Sequence, residues 1–304
     1  MAPGLVRRSS INYEPSRTAL GAAVHRATHQ LIDGGRVFSD PLAITILGWP
    51  VEELRKRAED SPEDRALRFF IAARSELAEA KLAQAVRDRG VGQLVVLGAG
   101  LDTFAYRNPF QERLDVFEVD HPATQQWKRQ QLARAGITAP RPVKFLPVDL
   151  EKTPLPAALA EGGFDFTRRA FFTWLGTVPY LTEDAVAMTA RTIGSLPAGG
   201  ELVFDYAEPS TEDSSPAGIH RRALRDRVAA AGEPFVSFFQ PADLRSTVSA
   251  AGFEHIEDYT VRDLAGRHFG AEAIAARIRA GSPVPDRGPH VLFGATAWSP
   301  PYVE

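Results

Sequence analysis

The stretch Leu94–Arg107, "LVVLGAGLDTFAYR", places four apolar residues directly before Gly98-Ala99-Gly100. An apolar run that ends in a glycine-rich turn is typical of the first strand and ligand-binding loop of a nucleotide-binding sheet. Dinucleotide loops have a third glycine where this chain has Thr103, and Asp102 would place negative charge beside a diphosphate. The loop therefore favours a nucleoside ligand that has no diphosphate.

Short apolar runs alternate with helical segments on both sides of this loop. We predict strands at 93–98, 114–120, 143–149, 169–176 and 200–206, with helices between them. This alternation indicates a doubly wound α/β fold with a parallel sheet covered on both faces. The segments "FEHIEDYT" and "GPHVLFGATAW" predict two last strands, paired antiparallel at one edge with no helix between them.

The regions outside this alternation predict a cover over the core. Residues 1–90 are helical in pattern, with Ser16 as an N-cap and a long helix from about 62 to 87, and we interpret them as a helical cap. Residues 91–304 form the core, and the segment 208–240 is too long for a simple connection, so we predict a lid insertion there.

Composition excludes several classes of protein. The chain has 304 residues, a net charge of −3 and no cysteine, so disulfides and thiolate ligands or nucleophiles are absent. The seven histidines form no metal-binding motif, and we predict no metal. The modest charge gives no reason to expect nucleic acid or membrane as a partner, and no apolar stretch is long enough to span a bilayer. We expect a cytoplasmic protein that binds small molecules, and homo-oligomerisation stays open.

Acidic residues end the two strands that follow the glycine loop. Asp120 is placed to accept hydrogen bonds from ribose hydroxyls, and Asp149 to meet the adenine amino group. A ligand with adenosine, no phosphate and positive charge is S-adenosylmethionine, which we predict as the cofactor. Arg74, on the helix before the first strand, is the candidate for its carboxylate because a guanidinium binds a carboxylate bidentately.

Several ordered motifs are similar to one known family. The stretches "VVLGAGLDTFAYR", "VFEVDHPATQQWKRQQL", "VKFLPVDLE", "FFTWLGTVPYLTEDAV" and "LPAGGELVFDY", together with "SRTALGAAVHRA" and "FSDPLA", resemble the leucine carboxyl methyltransferase-like family. They are most similar to its bacterial branch of S-adenosylmethionine-dependent O-methyltransferases. The resemblance covers about residues 16–206.

The resemblance implies a class I methyltransferase fold, Rossmann-like, with a seven-stranded sheet whose last strand is antiparallel. It also implies a cofactor site made of Arg74, Gly98, Ala99, Gly100, Asp120, Asp149 and Leu150. One position departs from the pattern. The eukaryotic branch that methylates protein phosphatases has a cofactor-contacting glutamate after strand four, and this chain has Leu175 there. The role of that acid is therefore not carried over.

Candidates for the acceptor site come from the rim and the lid. Tyr180 and Tyr206 follow strands four and five and are the candidate catalytic residues, because either could orient an acceptor oxygen. His25 and Arg26 on the first helix, and Phe239 in the insertion, are the candidates for acceptor binding. Neither His25 nor His121 is assigned as a general base. The stretch "EPFVSFF", 233–239, predicts an apolar wall for the acceptor.

The sequence thus predicts an O-methyltransferase for a small acceptor, with a carboxylate favoured over a hydroxyl because a carboxylate needs no base. Two alternatives stay open. A non-catalytic protein of the same fold would keep the cofactor residues, and the absence of the glutamate at Leu175 is compatible with it. A nicotinamide-dependent oxidoreductase is disfavoured by Asp102 and by the absent third glycine.

Overall fold

The computed structural model describes residues 16–61, 64–149, 152–209, 216–280 and 288–297. Within these residues seven strands form one sheet in the order β3-β2-β1-β4-β5-β7-β6. The strands are β1 (Gln93–Leu97), β2 (Asp115–Asp120), β3 (Lys144–Pro147), β4 (Ala170–Trp174), β5 (Gly200–Ala207), β6 (His255–Tyr259) and β7 (Pro289–Ala295). Strands β1 to β5 pair in parallel, and β7 lies antiparallel between β5 and β6. The predicted sheet with an antiparallel last strand is confirmed.

The strand order reverses beside β1, which pairs with β2 on one side and β4 on the other. In open α/β sheets the loops diverge at such a point and leave a crevice at the carboxyl ends of the strands. The glycine loop follows β1 directly, so the chain topology places Gly98 and Gly100 in this crevice.

Twelve α-helices lie in the described residues. They are α1 (Arg17–Ile32), α2 (Ala43–Leu47), α3 (Val51–Asp60), α4 (Arg65–Asp88), α5 (Phe104–Arg107), α6 (Pro122–Ala135), α7 (Leu155–Glu161), α8 (Glu183–Gly194), α9 (Pro216–Ala230), α10 (Pro241–Ala250), α11 (Val261–Phe269) and α12 (Ala271–Arg279). No helix among these residues has the length and apolar character needed to cross a bilayer.

Both faces of the sheet are covered, as the apolar strands require. On β1, Val95 and Leu97 face a core shared with α7, α8 and α10, whereas Leu94 and Val96 face a core shared with α4 and α11. A third apolar cluster joins α1, α2 and α3 to Leu101 of the glycine loop. This third cluster covers the carboxyl ends of the strands, and α4 packs on the sheet itself. The division at residue 90 stays a prediction.

The connection between the last two strands differs from the prediction. We expected no helix there, but α11 and α12 lie between β6 and β7. Thr260 and Asp263 form a capping box that begins α11, and Leu264 and Ala265 are its buried residues. The helix is short and amphipathic, so it has few apolar residues to reveal it, although the Thr-x-x-Asp spacing was a usable signal.

Candidate active site

A cavity of about 1120 Å³ lies at the carboxyl ends of the strands, under α1 and the segment that follows α9. Ligand pockets in proteins commonly measure about 300–1,000 Å³, so this cavity has room for more than one small molecule. Six of the seven predicted cofactor residues lie in its wall: Arg74, Gly98, Ala99, Gly100, Asp120 and Asp149. The seventh, Leu150, lies outside the described residues.

The backbone conformation of the glycine loop requires glycine at two of its three small residues. Gly98 and Gly100 have φ values of +62° and +44°, which residues with a side chain rarely adopt. A Cβ on Gly98 would also lie 2.2 Å from Oγ1 of Thr177, in the loop after β4. Gly98 is therefore required by its own conformation and by the close packing of the β4 loop.

Asp120 holds the glycine loop against the end of β2. Its carboxylate accepts hydrogen bonds from the backbone N–H groups of Gly100 and His121, the latter at 2.6 Å. Burial raises the pKa of Asp120 above its ordinary value, with these N–H groups acting against the rise. Asp149 lies two residues beyond β3 and forms a 2.7 Å ion pair with the exposed Lys152. The two acids therefore lie in the wall of one cavity, where the strand topology predicted them.

Arg74 and Asp205 form a buried ion pair in the cavity wall. Nη1 of Arg74 donates to Oδ2 of Asp205 at 2.7 Å, and Oδ1 of Asp205 accepts from the N–H of Gly176 at 2.6 Å. Nε of Arg74 is buried without a hydrogen-bond partner. Asp205 was not among the predicted site residues, although its position near the end of β5 was the available signal.

Arg26 lies in the cavity wall, but its guanidinium is engaged elsewhere. It donates to Asp40, with which it forms an ion pair, and to the hydroxyl of Thr103 at 3.0 Å. Asp102 lies 3.7 Å from Nη1 of Arg26, and its carboxylate accepts from the N–H of Phe104 at 2.8 Å. Arg26 thus fastens α1 to the glycine loop, and we correct its prediction as an acceptor ligand.

His25 lines the cavity, one residue before Arg26 on α1. Its pKa is lowered to about 4, mainly by burial, with Arg227, Arg68 and Arg74 lowering it further and Asp64 acting in the opposite direction. His25 is therefore neutral at physiological pH. The other candidate base, His121, caps α6 by accepting from the N–H of Ala123 at 3.3 Å.

The two candidate tyrosines differ in their surroundings. Tyr206 lines the cavity, but its hydroxyl donates to Asp258 of β6 at 2.7 Å, so it is not available to an acceptor and we correct its catalytic prediction. Tyr180 also lines the cavity, and its hydroxyl forms a hydrogen bond with Thr18. Burial raises the pKa of Tyr180 to about 12, so the phenol stays protonated and can orient an oxygen atom.

The stretch 233–239, predicted as an apolar wall, contributes two of its three phenylalanine rings to the cavity. Phe235 and Phe238 line the cavity and are half-buried. Phe239 is 9% exposed and packs in the sheet core against Tyr206, with ring centroids 6.4 Å apart. Its N–H donates to the carbonyl of Ala207, which directs the ring inward. The prediction of Phe239 as an acceptor ligand is wrong.

Two carboxylates connect the predicted lid segment, 208–240, to the start of α1 and the start of α4. Glu233 accepts from the backbone N–H groups of Arg17 and Thr18 at 2.9 and 3.1 Å, and from the hydroxyls of Ser16 and Thr18. Asp64 receives two hydrogen bonds from Arg227, at 2.8 and 3.0 Å. Sequence reasoning missed both contacts, since each joins segments more than 160 residues apart.

Comparisons with known proteins agree with this geometry. Residues 19–194 match the leucine carboxyl methyltransferase family, and the chain belongs to it. A Bacillus subtilis protein with the provisional name S-adenosyl-L-methionine-dependent methyltransferase YktD is 31% identical over 83% of this chain and 91% of its own length. A relative in Mycolicibacterium paratuberculosis, also provisionally named an S-adenosyl-L-methionine-dependent methyltransferase, is 29% identical over 83% of this chain and 80% of its own. The predicted family is thus confirmed, and the predicted cofactor is the one in both names.

Two solved structures share the fold. A protein described as a DUF574 family member from Streptomyces avermitilis has a TM-score of 0.54 at 17% identity, covering 90% of this chain and 97% of its own. A protein from Thermobifida fusca, described provisionally as a methyltransferase, has a TM-score of 0.53 at 17% identity, covering 93% and 96%. The predicted class I methyltransferase fold is confirmed.

Proposed function

We propose that this protein transfers the methyl group of S-adenosylmethionine to an oxygen atom of a small acceptor, and that the acceptor oxygen belongs to a carboxylate. Membership of the leucine carboxyl methyltransferase family and the names of the relatives support the cofactor and the methyl transfer. The choice of oxygen and of carboxylate depends on the residues of the cavity.

The residues present fit the cofactor. Nε of Arg74 is a buried donor without a partner in the cavity wall, and the methionyl carboxylate would satisfy it. Asp120 would accept from the ribose hydroxyls, and Asp149 from the adenine amino group. Neither contact involves a phosphate, and Asp102 would place negative charge beside a diphosphate.

The observation that carries the carboxylate is the state of the candidate bases in the cavity wall. His25, with a pKa of about 4, is a weak base, and Tyr180, with a pKa of about 12, holds its proton at neutral pH. His121 caps a helix, Asp64 is paired with Arg227, and Glu233 accepts several hydrogen bonds. A hydroxyl acceptor needs a group that takes its proton, whereas a carboxylate is already a nucleophile.

The charge of the cofactor also favours an anion. Arg68, Arg74 and Arg227 lie near His25, but each has a carboxylate partner, in Asp33, Asp205 and Asp64 respectively. The cofactor would add a sulfonium, an ammonium and one carboxylate, and so one net positive charge. An anionic acceptor would be attracted to that charge and held beside the methyl group.

Bound S-adenosylmethionine would supply an electrophilic methyl group on its sulfonium. An acceptor carboxylate oxygen would form a bond to the methyl carbon while the carbon–sulfur bond breaks and its electron pair stays on sulfur. The products would be a methyl ester and S-adenosylhomocysteine, with no proton released. The protein needs only to align the oxygen and to exclude water, which the lid over the cavity supports.

Calorimetric titration with S-adenosylmethionine and S-adenosylhomocysteine tests the cofactor site. We expect micromolar binding by the wild-type protein, at least a tenfold loss in Arg74→Ala and Asp120→Ala, and no loss in Arg191→Ala, an exposed cation on α8. Formation of S-adenosylhomocysteine from carboxylic acids but not from matched phenols would support the carboxylate. Turnover of phenols alone contradicts it, and binding without any turnover would favour a non-catalytic cofactor-binding protein.

A further inference from the structure

Three aromatic residues, Tyr180, Phe235 and Phe238, form a continuous wall in the cavity under the lid. The ring centroids of Tyr180 and Phe235 are 5.2 Å apart, and those of Phe235 and Phe238 are 6.2 Å apart, both pairs at an interplanar angle of 67°. All three side chains are half-buried and line the cavity. The rings thus contact one another edge to face and still present apolar surface to the interior of the site.

Aliphatic side chains extend this apolar surface. Leu67 and Ile71 of α4 and Leu224 and Val228 of α9 line the same cavity. Apolar surface left facing water costs free energy, and a cleft lined by it is typical of a site for an apolar ligand. S-adenosylmethionine requires polar partners for its charged groups, so this surface is better suited to the body of the acceptor.

Polar groups lie at the two ends of the aromatic wall. The Tyr180 hydroxyl and its partner Thr18 are at one end. The guanidinium of Arg225 lies over the ring of Phe238 at the other end, with Cζ 5.8 Å from the ring centroid. The order along the wall is therefore hydroxyl, three rings, guanidinium. An acceptor that fits it has an apolar planar body and an oxygen-bearing end.

We propose that the acceptor is an aromatic carboxylic acid whose ring packs against Tyr180, Phe235 and Phe238, and that Phe235 determines this specificity. The inference rests on the proposed carboxylate methylation and names its substrate class. Phe235 lies in the middle of the wall and contacts both other rings. The aromatic ring of an acceptor would form edge-to-face or offset contacts with this wall. Such contacts raise affinity by about 2- to 13-fold, in addition to the gain from the apolar area that the ring buries.

The test compares aromatic acids with saturated acids of similar size. Initial rates of S-adenosylhomocysteine formation would be measured with trans-cinnamate and 2-naphthoate, and with 3-cyclohexylpropanoate and octanoate. We expect kcat/KM to be at least about fivefold higher for the aromatic acids in the wild-type protein. Phe235→Leu keeps an apolar side chain and removes the ring, so the preference should fall below about twofold while octanoate is still turned over.

The controls separate this inference from the proposed function. Phe269→Leu, an exposed phenylalanine on α11 outside the cavity wall, should keep the wild-type preference. Calorimetric binding of S-adenosylmethionine should be unchanged in Phe235→Leu, and Phe238→Leu gives a second test if that variant does not fold. Equal rates for aromatic and saturated acids, or an unchanged preference in both leucine variants, would overturn the aromatic acceptor and leave carboxylate methylation standing. Methylation of none of the four acids by a protein that binds the cofactor would overturn both.

Discussion

Asp205 of β5 brings a carboxylate to the loop after β4, which begins with Leu175. It accepts from Gly176 in that loop and from Arg74, and it is 4% exposed in the cavity wall. A buried carboxylate beside the proposed methionyl site is suited to the ammonium group of the cofactor. We therefore infer that Asp205 would bind the ammonium group of the cofactor.

Replacing Asp205 by Asn keeps the shape and the contact with Gly176 but removes the charge. We expect Asp205→Asn to bind S-adenosylmethionine roughly 10- to 100-fold more weakly, because hydrogen bonds to charged groups are worth about 1.5–3 kcal/mol. Binding of 5′-methylthioadenosine, which has no ammonium or carboxylate, should change less than about twofold. Calorimetry with both ligands checks this, and equal losses for the two would mean that Asp205 only supports the fold.

His25 gives the stability of the protein a dependence on pH. Its pKa is about 4 in the folded state and about 6.5 in an unfolded chain, so between these values the unfolded state binds more protons. Stability from this group is therefore complete above pH 6.5 and decreases as the pH falls toward 4. Between pH 7 and pH 5, the free energy of unfolding of His25→Gln should decrease by up to about 2 kcal/mol less than that of the wild type. Urea unfolding at both pH values measures this difference. Parallel pH profiles would contradict burial of a neutral His25.

Glu233, near the C-terminal end of the predicted lid segment 208–240, attaches that segment to the first turn of α1. Burial would raise the pKa of Glu233, but hydrogen bonds from the hydroxyls of Thr18 and Ser16, and from the backbone N–H groups of Thr18 and Arg17, hold it below its ordinary value. The carboxylate also complements the positive end of that helix. The contact joins the two elements that cover the cavity. We expect that separating these two elements requires this contact to break.

Weakening this contact should therefore speed the exchange of ligands. In Glu233→Gln the loss of a charged cap is worth about 1 kcal/mol, which corresponds to roughly fivefold faster dissociation of S-adenosylhomocysteine. Stopped-flow displacement measures this rate. Glu183→Gln, which removes a carboxylate from the first turn of α8, is the matched control and should leave the rate unchanged. Equal rates in all three proteins would show that the lid does not limit release.

Some of the site residues could be placed from the sequence, and others could not. Asp120 and Asp149 could be placed together, because the ends of parallel strands share one edge of the sheet whatever the loops do. The sequence could not show that Phe235 lines the cavity whereas Phe239 packs in the core. The segment 231–240 is neither helix nor strand, so the spacing of its residues does not predict which way each side chain faces. Arg26 and Tyr206 were misread for a related reason. Their partners Asp40 and Asp258 come from other elements, and a sequence pattern does not show such pairs.

Helix α6 connects the sheet to the helices that cover the site. Lys128 on α6 forms a 2.7 Å ion pair with Glu118 of β2, and both side chains are 1% exposed. Four residues further on, Leu132 packs in the apolar cluster of α1, α2 and α3. Burial raises the pKa of Glu118 to about 7, and Lys128 acts against this rise. The connection therefore depends on a buried ion pair. Removing either partner alone would leave the other charge buried without compensation.

Breaking this pair should destabilise the entire chain. Removing one partner of a buried ion pair commonly costs about 3–5 kcal/mol, because the remaining charge is left without compensation. We expect that loss in the free energy of unfolding of Lys128→Met, and a smaller loss in the double variant Glu118→Gln/Lys128→Met, where neither charge remains. Lys152→Met removes an 80% exposed partner of a surface pair and should cost less than about 1 kcal/mol. Urea unfolding of the three variants measures these differences. A double variant as unstable as Lys128→Met would mean that packing by the lysine stem, and not its charge, connects the sheet to the cover.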